Sequence, residues 1–232
     1  MPVAIITGAS RGLGRALARE LDARGWALVL DARGGAALER VADELDPRRT
    51  AALPGDVTDA RHRRELVDAA LGLGGLDLLV NNASHLGPSP QPRLDAYPPT
   101  ELARVFDTDV LAPADLVRLA LPALVAGHGT VVNVSSDAAV EAYEGWGGYG
   151  AAKAALDQLT AVLAVEQPEI RAYAFDPGDM RTQMHQEAFP GEDISDRPEP
   201  ESVVPSVMRL LDERPPSGRY RSSDLAAAVP VR

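Results

Sequence analysis

Ser136, Tyr149 and Lys153 are the residues of this chain whose types and spacing could move a proton. Tyr149 and Lys153 are four positions apart, so a helix continuing through Leu156, Leu159 and Leu163 puts them on one face, with the ammonium beside the phenol. A free phenol titrates near ~10, which makes it a poor base at neutral pH. A neighbouring ammonium favours its ionised form. Tyr149 can then shuttle a proton while Ser136 holds the reacting oxygen by a hydrogen bond. Taken alone, the tyrosine–lysine pair is equally well read as an exposed contact on a helix.

The elements that must position these groups begin at the N-terminus. Val3-Ala4-Ile5-Ile6 is followed by Thr7-Gly8-Ala9-Ser10-Arg11-Gly12-Leu13-Gly14, after which Leu13, Ala16, Leu17 and Leu21 recur at helical spacing. Strand, glycine turn and helix in that order make a dinucleotide-binding start. Gly8 can turn sharply, Gly12 lets the backbone approach a pyrophosphate, and Gly14 lets the helix pack closely on the strand. The helix N-terminus then faces the phosphates. A positively charged oxidised nicotinamide would add to Lys153 in favouring the phenolate, which suits an oxidoreductase.

Further strands are predicted at Ala27 to Leu30, Ala51 to Leu53, Leu76 to Val80, Thr130 to Val134 and Ile170 to Phe175, with helical segments between them. This alternation implies an α/β fold, a Rossmann-type doubly wound parallel sheet covered on both faces. Ser84 to Pro99 and Gln183 to Pro200 are polar and proline-bearing and read as loops, the second as a substrate lid over 183–200. No linker divides the 232 residues, so a single dinucleotide-binding catalytic domain over 1–232 is expected.

Composition excludes several function classes. The net charge of -11, with arginines interleaved among acidic residues, offers no basic face for nucleic acid. With no cysteine, thiolate chemistry and disulfides are out, and His62, His85, His128 and His185 are scattered without metal-ligand spacing, so no metal site is expected. There is neither a charged leader nor a run of the ~20 apolar residues that a membrane span needs. A soluble, cytoplasmic protein without a membrane partner is expected.

From residue 3 to about residue 221 the chain resembles the short-chain dehydrogenase/reductase family. In order, the glycine turn (Gly8, Ser10, Arg11, Gly12, Leu13, Gly14) resembles the family's cofactor turn, and Gly55-Asp56-Val57 its adenine-contacting segment. Asn81-Asn82-Ala83 resembles the motif that supports the sheet beside the cofactor, and Val134-Ser135-Ser136 the end of the catalytic-serine strand. Tyr149-Gly150-Ala151-Ala152-Lys153 is similar to Tyr-x-x-x-Lys, and Asp176-Pro177-Gly178 with Thr182 to the segment that positions the nicotinamide. The resemblance implies an NAD(P)-dependent carbonyl reductase or secondary alcohol dehydrogenase using Ser136, Tyr149 and Lys153, with Tyr149 and Lys153 also touching the cofactor. It also implies a homotetramer or homodimer packed through helices around 100–126 and 149–166. A dinucleotide-binding regulator without turnover is the alternative. A nucleotide-sugar epimerase is disfavoured, because such relatives carry a further C-terminal region.

NAD-preferring relatives carry an acidic residue at the tip of the second strand, where counting from Gly14 places Ala32 here. Arg33 and Arg11 match positions that are basic in NADP-preferring relatives, so NADP(H) is favoured over NAD(H). A register one residue off would make Asp31 the ribose ligand and reverse this. Asp109 falls on the apolar stripe of Leu102, Val105, Phe106, Val110, Pro113, Leu116, Val117 and Ala120, where the family usually has an asparagine that completes a proton relay. Its role is expected through helix geometry and a backbone carbonyl, its charge being incidental; pairing of the carboxylate with Lys153 is the other account. The substrate is a small carbonyl compound or alcohol, with His85, Asp137, Glu141, Tyr143, Trp146, Asp179, Met184 and Phe189 as pocket candidates.

Overall fold

A computed structural model describes residues 1–227. Strand β1 (Val3–Ile6) is buried on both faces, which a parallel strand covered by helices on each side requires. Ala4 and Ile6 pack with Leu28, Leu30, Leu78, Val80 and Val132 against one helix layer, while Val3 and Ile5 pack with Val29, Leu79 and Val131 against the other. The remaining strands are β2 (Ala27–Ala32), β3 (Thr50–Pro54), β4 (Leu78–Asn81), β5 (Thr130–Val134), β6 (Arg171–Asp176) and β7 (Gly218–Arg221). All neighbours are parallel, in the order β3-β2-β1-β4-β5-β6-β7. The order reverses between β1 and β4, and the crevice beyond their carboxyl ends is where such sheets bind ligands.

One layer contains α1 (Gly12–Ala23), α2 (Gly35–Ala42) and α8 (Val204–Glu213); the other contains α3 (Ala60–Gly72) and α5 (Ala112–Ala126), with Leu163 of α6 (Gly147–Glu166). Helix α4 (Pro99–Phe106) runs into α5 through a π-turn over Asp107–Leu111, so the apolar stripe read over this region is one interrupted helix. Two short helices, α7 (Gln183–Ala188) and α9 (Ser222–Ala227), flank the last stretch of the described chain. The fold departs from the sequence expectation at one loop and adds one strand. The stretch after Thr182 is helical at its start, because the Thr182 hydroxyl caps it by accepting from the His185 amide. Strand β7 lacks an apolar signature, since its Gly-Arg-Tyr-Arg sequence is half-buried at the sheet edge.

A chain of buried polar groups fixes α6 against the sheet. Asn81 donates to Asn133 at 2.7 Å, Asn133 to the Thr160 hydroxyl at 2.8 Å, and that hydroxyl to the Leu156 carbonyl at 2.7 Å. Each group is satisfied, so the network orders the helix that carries Tyr149 and Lys153 without leaving an unpaired dipole.

Candidate active site

The crevice is a cleft of about 1100 Å³ that runs from the glycine turn to α7. Its lining brings together Gly8, Ser10, Arg11, Gly12, Leu13, Ala32, Arg33, Asp56, Val57, Asn82, Ala83, Ser136, Tyr149, Lys153, Pro177, Gly178 and Thr182. Asp109 lies behind this wall, fully buried.

The glycine turn fits a pyrophosphate. A Cβ on Gly14 would stand 2.6 Å from the Gly8 carbonyl oxygen and the Asn82 amide, and one on Gly8 would stand 2.9 Å from the Ala83 backbone. Asn82 ties the same turn to β4 by donating to the Thr7 carbonyl at 2.8 Å. Gly12 has φ +55, and nothing but the Thr182 methyl, at 3.5 Å, approaches its would-be Cβ. The cradle is therefore open where phosphates would enter, and no side chain caps the N-terminus of α1.

Ala32 presents no carboxylate to the cleft, whereas Arg33 and Arg40 both line it. Among the described residues neither arginine has an ion-pair or side-chain hydrogen-bond partner. Arg40 was not singled out by sequence, because only the start of α2 at Gly35 brings it back over the cleft. Arg11 is engaged across the cleft by Gln183 of α7. Asp31 also borders the cleft but is only 1% exposed, and its carboxylate is 2.6 Å from Nε2 of His62.

At the other end Lys153, itself 2% exposed, donates to the Val134 carbonyl at 2.9 Å and lies 5.3 Å from the centroid of the Tyr149 ring. Its ammonium is 3.5 Å from the Asp109 carboxylate. That carboxylate also accepts from the Ser84 hydroxyl at 2.6 Å and the His85 amide at 2.7 Å. The ammonium, hydroxyl and amide placed against it are all donors, and Asp109 itself is carried by the π-turn over Asp107–Leu111. Burial raises the Asp109 pKa, with Lys153 and the two hydrogen bonds opposing it. Burial likewise raises Tyr149; Lys153 pulls it back, and the charges of Asp109 and Asp137 add to the rise. For Lys153 burial works against the charged form, but Tyr149 and Asp109 outweigh it and the pKa is raised.

Ser136 caps the turn Asp137–Ala139: its hydroxyl donates to Asp137 at 2.9 Å and accepts from the Ala138 amide at 3.2 Å. Arg219 of β7 braces this segment by donating to the Ser136 carbonyl and to Asp176, each at 2.9 Å, and to Asp157 at 3.0 Å. Nothing in the sequence marks Arg219, because its partners come from three separate elements. Of the pocket candidates, Asp137, Tyr143, Trp146, Asp179, Met184 and Phe189 line the cleft. His85 instead faces Glu101 at 3.9 Å, and Glu141 is taken by Tyr143 and Arg221. Trp146 stands edge-on to Tyr149 at 5.8 Å and packs on Phe189 at 5.7 Å.

Among the described residues no helix is long and apolar enough to cross a membrane, and no cluster of potential ligands could hold a metal ion. Residues 2–193 match the family model described as short chain dehydrogenase. The chain is 36% identical over 199 residues to the sepiapterin reductase of Meriones unguiculatus, covering 79% of this chain and 76% of that one. It is 32% identical to a benzil reductase ((S)-benzoin forming) of Saccharomyces cerevisiae, covering 96% of this chain and 84% of that one. The alcohol dehydrogenase of the archaeon Thermococcus sibiricus, solved with 5-hydroxy-NADP, superimposes with a TM-score of 0.85 at 28% identity over 95% of both chains.

Proposed function

The chain belongs to the short-chain dehydrogenase/reductase family of oxidoreductases, and on that premise we propose an NADP(H)-dependent carbonyl reductase or secondary alcohol dehydrogenase. The observation that carries this reading is the meeting of Ser136, Tyr149 and Lys153 in one cleft with the open glycine cradle. When bound, the nicotinamide supplies or accepts the hydride. Ser136 turns its hydroxyl from Asp137 to the substrate oxygen, and Tyr149 gives that oxygen its proton during reduction or takes it during oxidation. Lys153 is held charged by Asp109 and opposes the cost of ionising the buried phenol. Asp109 is a positioning residue for that ammonium.

Gly8, Ser10, Gly12, Leu13 and Gly14 hold the pyrophosphate, Asp56 and Val57 the adenine, and Asn82, Ala83, Pro177, Gly178 and Thr182 the nicotinamide side. Arg33 and Arg40, which both line the cleft, meet the 2′-phosphate, supported by their lack of ion-pair or side-chain hydrogen-bond partners among the described residues. Residues 183–200 act as the lid of one catalytic domain over 1–232, of which 228–232 lie outside the described residues; Arg11–Gln183 and Trp146–Phe189 are the contacts that support closure. The exposed Leu111 of the π-turn between α4 and α5, and Leu159, Val162 and Val165 of α6, support a homodimer or homotetramer through these segments, which sedimentation would test. The reading is tested by a carbonyl and alcohol panel beginning with benzil and sepiapterin, followed at the nicotinamide absorbance with NADPH and NADH. No turnover with any member would overturn it in favour of a binding protein.

A further inference from the structure

Asp31 stands where three segments of the adenosine end converge. Its carbonyl accepts from the Ala9 amide of the glycine turn at 2.8 Å, and the next carbonyl, of Ala32, accepts from Gly55 at 3.1 Å, just before Asp56 and Val57. The Asp31 side chain shares a strand face with Ala27 and Val29 and points toward α3, whose first turn supplies His62. The pair is closed off, with side-chain exposures of 2% for Asp31 and 7% for His62. Residue 55 is a glycine for a steric reason, since a Cβ there would overlap the His62 ring. Asp31 nevertheless contributes to the wall of the cleft. A free carboxylate at this point would accept from a ribose hydroxyl and repel a 2′-phosphate.

We propose that His62 is a positioning residue for cofactor choice: by pinning and neutralising Asp31 it leaves the strand tip to Arg33 and Arg40 and lets the site accept a 2′-phosphate. The proposal rests on the NADP(H) reading above. The charged groups facing His62 are Asp31 from β2, Asp56 and Asp59 from the loop before α3, and Glu65 from α3 itself. All are acidic, and the hydrogen bond to Asp31 leads in raising the imidazole pKa above its ordinary value, against the opposing effect of burial. As the pH rises through that value the pair goes from neutral to negative, so the preference for a 2′-phosphate must fall.

The test is fluorescence titration of NADPH and NADH with the whole protein and with His62→Leu, Asp31→Asn and the double variant. Expected is a NADPH-to-NADH affinity ratio that drops about tenfold or more in His62→Leu, about 1.4 kcal/mol. In the double variant it returns to within about threefold of the Asp31→Asn value, as coupled partners require. A protein that prefers NADPH but whose ratio is unmoved in His62→Leu, or equally lowered in the double variant, overturns the inference and leaves the cofactor reading standing. A protein that prefers NADH overturns both. Should His62→Leu fail to fold, the unmodified protein decides from about pH 6 to about pH 9, with Asp31→Asn as reference for the 2′-phosphate's own ionisation near ~6. A ratio falling with pH only when Asp31 is present supports the inference; parallel curves overturn it.

Discussion

At the Tyr149 end of the cleft Asp109 meets Lys153 at 3.5 Å, and at the end formed by β2 and the start of α3 Asp31 meets His62 at 2.6 Å, both pairs being almost wholly buried. Burial is the leading influence on both carboxylates and raises the pKa of each; the bases differ. An ammonium stays charged across the working range of pH, whereas an imidazole titrates within it. Lys153 is also shared, bonded to the Val134 carbonyl and lying against the Tyr149 ring, while the other ring nitrogen of His62 lies 4.0 Å from Glu65. The first pair therefore holds its ammonium beside the Tyr149 phenol, and the second is an arrangement that pH can change at a distance from that phenol.

The comparison breaks most sharply at Tyr149. Tyr149→Phe removes the transferable proton and keeps the ring, so turnover should fall by about 100- to 10,000-fold. Titrated NADPH affinity should stay near that of the parent. Near-native turnover in this variant would take the acid/base chemistry away from this end of the cleft.

Next in size is Lys153→Met, which strands the Asp109 carboxylate in a fully buried site and should cost about 3 to 5 kcal/mol of stability. Urea denaturation measures it. Adding Asp109→Leu should recover most of that loss, and a double variant no more stable than Lys153→Met would mean the two groups are not energetically coupled.

At the opposite end Gly55→Ala forces a methyl into the His62 ring and should destabilise the fold by about 1 to 3 kcal/mol, as overpacking does. It should also lower NADPH affinity relative to NADH while leaving turnover at saturating cofactor unchanged. Loss of turnover at saturation would erase the functional separation between the two ends.

The smallest effect concerns Asp109→Asn. The negative charge raises the Tyr149 pKa, so its removal should lower the pH at which the phenol becomes competent as a base. The basic limb of alcohol oxidation should move to lower pH by about one unit, or about 1.4 kcal/mol. An unmoved limb with full activity would return the position to a backbone role.

The sequence determined whatever depends on spacing within one element or across one tight turn. Tyr149 and Lys153 share a helix face because the period is 3.6, and the glycine turn is legible because a strand, a bend and a helix must follow one another to make it. The alternation of apolar strands and helices likewise implied the parallel sheet, though not its polar edge strand β7. Only the tertiary structure decided which distant groups meet: Asp109 with Lys153, His62 with Asp31, and Arg219 with Asp176, Asp157 and the Ser136 carbonyl. The fate of Asp31 depended on strand register, since neighbouring residues point to opposite faces and one step separates a ribose ligand from a side chain turned toward α3. Such contacts follow from how the sheet orders its strands and how helices lie across them, information that no local pattern of residues contains.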